Sequence, residues 1–102
     1  MRNYELMTIH RPDLAEDDMR GRVGDIEQFL AGRGANVTNT DVWGKRRFAY
    51  EIDHLHEGYY TVVNFDAEPT VVIELDRMLS LSDQVVRHKI LRPGHLEPVL
   101  PG

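Results

Sequence analysis

Cysteine is absent from this sequence. Neither a disulfide framework nor a thiolate zinc site can exist, which fits a reducing compartment. Long apolar runs are missing too, and nothing approaches the roughly 20 consecutive apolar residues that a membrane-spanning helix needs. The opening MRNYELMTIH has no apolar core and no small-residue cleavage site, so no signal peptide is expected. Positive charge is in deficit. Lys and Arg number 12 against 17 Asp and Glu, and the net charge of −5 argues against a general electrostatic grip on nucleic acid. A phosphate-cradling glycine loop, a nucleophile elbow and triad spacing are all lacking, so neither a catalytic constellation nor a cofactor site is expected.

What is present suffices for one core. A chain of 102 residues with 41% apolar content has the size and composition of a single globular domain. Residues 2–10 carry apolar groups on both alternating faces, the mark of a central strand, and Pro12 stops them. From Leu14 the period becomes helical: Leu14, Met19, Val23, Ile26, Phe29 and Leu30, with acid at Asp13 and Glu16 to Asp18 and a stop at Gly32 and Gly34. Residues 35–53 read as one long strand, with Gly44 marking a bulge. HLHEG at 54–58 is the expected turn, Gly58 being free to take a positive φ, and 59–65 is the answering strand. Pro69 opens a second amphipathic helix through Val72, Leu75 and Leu79, despite its β-branched start. Residues 84–91 are the last strand. RPGHLEPVLPG then has no apolar period, so the domain should end at 92 and 93–102 form an extended tail.

The order β-α-β-β-α-β predicts an α+β ferredoxin-like sandwich, a four-stranded antiparallel sheet with both helices on one face. The other face is left bare, and function is expected there.

Cations cluster against the overall charge. In DVWGKRRFAYEI, Lys45, Arg46 and Arg47 sit side by side, and alternation puts Arg46 with Phe48, Tyr50 and Ile52 while Lys45 and Arg47 face the other way. Taken alone, such a basic knuckle is explained at least as well by charges that protect a sheet edge. A second group, Arg87, His88 and Lys89 with Arg92 just beyond, lies on the last strand, which this fold places beside the first strand and its Arg2 and Tyr4. Exposed ion pairs of about 0–1 kcal/mol give little reason for such clustering. Cations interleaved with rings suit RNA, whose phosphates need neutralising and whose unstacked bases find a π surface. His54, His56 and Glu57 are better explained as a polar turn than as a metal site, since no third ligand is evident. His10 and His95 stand alone, and Glu16, Asp17 and Asp18 are a solvated helix start.

Taken together, MRNYEL at 1–6, WGKRRFAYEI at 43–52, EGYY at 57–60 and VVRHKIL at 85–91 resemble the family of bacterial small-subunit ribosomal protein number six over residues 1–92. Glu51 departs from that pattern, where proline is frequent. The resemblance implies a ferredoxin-like structural protein of the small ribosomal subunit, not an enzyme. It further implies binding to the central domain of small-subunit ribosomal RNA, as a heterodimer with the basic small-subunit protein number eighteen. The RNA-contacting residues it implies are Arg2, Tyr4, Lys45, Arg46, Arg47, Arg87, Lys89 and Arg92, and the partner-docking residues are Leu96, Val99 and Leu100. Because this architecture hosts many functions, a small ferredoxin-like enzyme or a dimeric ligand-sensing domain is the alternative. An acylphosphatase-like hydrolase would use an arginine after the first strand, but Arg11 is followed by Pro12 and lacks the glycine-rich cradle.

Overall fold

A computed structural model describes residues 1–92. In chain order the elements are β1 (Arg2–His10), α1 (Glu16–Gly32), β2 (Asn36–Ile52), β3 (Leu55–Ala67), α2 (Pro69–Ser80) and β4 (Val85–Leu91). The strands form one sheet in the order β2-β3-β1-β4, every neighbouring pair antiparallel. This is the ferredoxin-like sandwich that the alternation of periods predicts.

Both helices lie against one face. Tyr4, Leu6, Val63, Phe65 and Ala67 from the two central strands pack with Ile26 and Leu30 of α1 and Val71, Leu75 and Leu79 of α2. Met19, Val23 and Tyr59 extend this core toward the start of α1. The α1 helix begins at Glu16, two residues later than the apolar spacing suggests, and its N-cap Ala15 offers no side-chain bond. Glu16, Asp17 and Asp18 complement the exposed amides of the first turn electrostatically instead. The β-branched run Val71 to Ile73 stays helical because Val71, Leu75 and Leu79 bury on one stripe, and packing outweighs the modest propensity penalty.

The long β2–β3 hairpin differs from expectation at its tip. Gly44 does adopt a positive φ of 88°, and the pairing slips between Val42 and Gly44, so the bulge lies where its glycine suggests. The tight turn, however, is made by Asp53 and His54, with φ of 48° and 64°, while Ile52 pairs with Leu55. Two consecutive left-handed residues suit the right-handed twist of a two-residue hairpin turn, a geometry that favours glycine at the second position. Gly58 is therefore not a turn residue but lies inside β3 opposite Arg46. Replacing His54 by Gly is expected to raise stability by about 0.5–1 kcal/mol by removing the left-handed Cβ penalty. The check is a higher urea midpoint at unchanged slope; a lower midpoint would contradict it.

At the end of β1, beneath the helices, sits a buried polar group. His10 has no exposed surface, and its Nε2 lies 3.0 Å from the Thr8 hydroxyl, which in turn bonds the Thr61 hydroxyl. His10 Nδ1 has no hydrogen-bond partner among the described residues. Beside it a crevice of about 180 Å³ runs between the two helices, lined by Arg22, Asp25, Met78, Leu79 and Gln84 as well as His10.

Candidate nucleic-acid interface

The open face is read from the pleat. Tyr59 and Tyr60 are neighbours in sequence and look opposite ways. Tyr59 packs under α1, its hydroxyl donating to the Leu14 carbonyl at 3.1 Å. Tyr60 turns to the uncovered side, where its ring lies nearly parallel to Trp43 (8° between planes, centroids 6.4 Å apart) and tilted against Phe48 (51°, 6.0 Å). Across the sheet Ile9 pairs with Tyr60 on one side and Arg87 on the other. One row of the open face therefore runs from the bulge rings through Tyr60 and Ile9 to Arg87. The next runs Asp41, Val62, Met7, Lys89. Below these the face turns polar and acidic, with Asn39, Asn64, Glu5, Asn3 and Asp66.

Arg46, opposite Gly58, shares this face with Phe48 and lies at its β2 edge. Three strand spacings and an offset of two residues along the strands separate Arg46 from Arg87, so they flank the rings from positions about 16 Å apart. Among the described residues neither Arg46, Arg47, Arg87 nor Lys89 forms an ion pair with a carboxylate. Burial raises the Tyr60 phenol above its ordinary range, Tyr50 adds to the effect and Arg87 opposes it, as its place in the same row requires. The Tyr60 side chain thus stays neutral and adds no negative charge to the platform.

The structure divides the sequence-derived residues into groups. Arg46, Arg87 and Lys89 come together on the upper half of the open face. Lys45 and Arg47 alternate to the opposite side of β2, where the Lys45 ammonium sits 5.1 Å from the Tyr59 ring centroid and 3.9 Å from Glu57. Arg2 does not join the last-strand cations. It pairs with Ala67, beyond the final β1–β4 pair of Glu5 with Leu91, and alternates with Tyr4 and Leu6 toward the helix side. Arg92 leaves the end of β4, exposed at that same lower edge. Tyr4 requires a correction: its side chain is buried in the core, stacked on Phe65 at 5.7 Å, and is not available to a base. Its alternation partner Leu6 is also core, so the period is visible in the sequence but not which face the helices cover. Leu96, Val99 and Leu100 lie outside the described residues. Sequence reasoning misses Trp43 and Phe48 as site residues because the Gly44 bulge breaks the alternation that would link them to Tyr60. At the hairpin tip His54 and His56 both approach Glu51, at 3.8 and 3.6 Å, and all three are exposed. No group of three or more metal-ligating side chains suited to an ion occurs among the described residues.

A four-stranded sheet with both helices behind it and a basic, ring-bearing open face defines a class: ferredoxin-like proteins that present a surface rather than a cleft. The family model for ribosomal protein S6 matches residues 3–92. The small ribosomal subunit proteins bS6 of Desulforamulus reducens and Symbiobacterium thermophilum are 44% and 46% identical, each over 92% of this chain and 99% of the relative. The crystal structure of the 30S ribosomal protein S6 from Thermotoga maritima superposes with a TM-score of 0.85 at 28% identity, covering 89% of this chain and 86% of that one. The C-terminal domain of the MgtC protein from Mycobacterium tuberculosis, 17% identical with a TM-score of 0.60, shares the fold alone. The chain belongs to the ribosomal protein S6 family. It is accordingly a structural constituent of the cytoplasmic small ribosomal subunit and not an enzyme.

Proposed function

We propose that this chain binds the central domain of small-subunit ribosomal RNA together with small-subunit protein number eighteen, positioning RNA rather than turning over a substrate. The observation that carries this reading is the convergence of Arg46, Arg87 and Lys89 around rings on the uncovered face of a net-acidic protein. None of the three is paired with a carboxylate among the described residues. Guanidinium groups left open in this way are suited to bidentate phosphate contact. Lys45 and Arg47 give the knuckle a second basic side, while Arg2 and Arg92 serve the lower rim. A basic partner docked through Leu96, Val99 and Leu100 would supply the bulk charge that this chain lacks. Binding the assembled form of an RNA junction in preference to its open form stabilises the assembled form by mass action.

Filter binding with a central-domain RNA fragment and the partner protein tests the reading. The double substitution Arg46→Ala with Arg47→Ala is expected to weaken binding about tenfold or more. It should also reduce the slope of log K against log salt by about 1 for each phosphate that is no longer neutralised. Unchanged affinity and slope would remove the knuckle from the interface.

A further inference from the structure

We propose that Trp43 is a stacking site for one unpaired nucleobase, with Arg46 and Arg87 placed for the flanking phosphates; this rests on the RNA-binding reading and deepens it. Trp43 is the chain's single tryptophan and remains 40% exposed in a folded domain. Its ring is nevertheless held firmly. Tyr60, only 3% exposed, backs it in near-parallel orientation, and Phe48 packs tilted against Tyr60 in turn. The indole Nε1–H donates to the Asp41 carboxylate at 3.0 Å, which fixes the rotation of the ring. The positive φ of Gly44 turns the strand at that point. A ring immobilised before its ligand arrives loses little further entropy on binding.

Charge around the ring selects the ligand. Asp41 stands on one side of Trp43 along β2 and Arg46 on the other, so a phosphate is repelled at the first and drawn to the second. Arg87 and Lys89 wait across the sheet. A strand crossing from β2 to β4 meets a cation, then a ring, then cations again. That sequence of contacts matches alternating phosphate and base, and only an unpaired base has a free π face to offer. Tyr50, 60% exposed and next in alternation after Phe48, extends the ring surface toward the hairpin tip.

The full chain, titrated at low salt with hexa-adenylate and with an RNA duplex of equal length, provides the test, because Trp43 fluorescence reports only on this site. Hexa-adenylate is expected to quench the emission and the duplex to leave it. Affinities of the variants, which have no tryptophan, are compared with the native protein by filter binding of labelled hexa-adenylate: Trp43→Phe, which keeps a ring, should bind within about threefold of the native protein. Trp43→Leu, which keeps apolar cover over Tyr60 but has no π face, should lose about 5- to 100-fold at an unchanged salt slope. Equal affinity of Trp43→Leu and native protein would overturn the stacking site, as would emission that responds to a basic ribosomal protein partner and not to RNA. If the central-domain fragment binds with steep salt dependence while Trp43→Leu is indifferent, the stacking site alone fails. If the native protein binds neither hexa-adenylate nor that fragment, the RNA-binding reading fails with it.

Discussion

Replacing Gly58 by alanine is expected to destabilise the protein by about 2–3 kcal/mol, although alanine adds only a methyl group. A Cβ at this position would lie 2.7 Å from Ile9 Cγ2, 2.8 Å from the His10 carbonyl oxygen and 3.1 Å from Phe48 Cζ. The Ile9 methyl and the Phe48 ring have some freedom to shift. The His10 carbonyl has very little, because it belongs to the backbone of central strand β1. Gly58 does not carry a positive φ, so the cost is steric crowding and not backbone strain. The same crowding would lift Phe48 off Tyr60 and disturb the ring cluster of the open face. Gly21 on α1 serves as the control, since a methyl group added there would meet nothing within 4 Å among the described residues. Alanine at that position should leave stability unchanged or slightly raise it. Urea unfolding at neutral pH compares the two. A Gly58→Ala protein as stable as the native one would mean that the strands separate easily at this point.

Lowering the pH should remove a further contribution of about 3 kcal/mol through one side chain, His10. Burial, and then the nearby Arg22 guanidinium, depress its pKa from 6.5 to about 4. The folded state therefore keeps His10 neutral down to about pH 4, while the unfolded chain protonates near 6.5. Between those values the unfolded state binds the extra proton. Stability from this group is complete above about pH 6.5, falls as the pH drops through that window, and levels off below about 4. In the imidazolium both ring nitrogens are donors, and Nδ1 has no acceptor among the described residues. Unfolding free energies of native protein and His10→Gln at pH 7.0 and about 4.5 isolate the effect, since the carboxylates contribute to both proteins alike. The native protein should lose more than the variant by about 2–3 kcal/mol. Equal losses would show that His10 is not the group that titrates.

These two residues also mark where sequence reading stops. A glycine after two histidines in HLHEG looks like turn chemistry, and only the pairing of β3 with β1 shows that Gly58 is required by a neighbouring strand's carbonyl. His10 closes a strand that carries apolar groups on both faces in the sequence, and nothing local says which face the helices will cover. Elements and their order are legible because hydrophobic period changes from two to helical spacing and back within one chain. The bulge is legible because Gly44 interrupts a strand pattern. The site is only partly legible. Alternation groups Arg46 with Phe48 and separates Lys45 and Arg47, but it cannot say which face the helices will take, and so it puts Tyr4 outside when it lies within.

The architecture, the position of the cations along the strands and the family follow from local period and the order of residues. That Arg46, Arg87 and Lys89 share a face, that Arg2 does not join them, and that Trp43 rests on Tyr60 follow only from how the strands pair and the helices pack. The reason is that strand order and helix coverage are set by long-range burial. Which side of a two-faced strand meets solvent depends on residues distant along the chain.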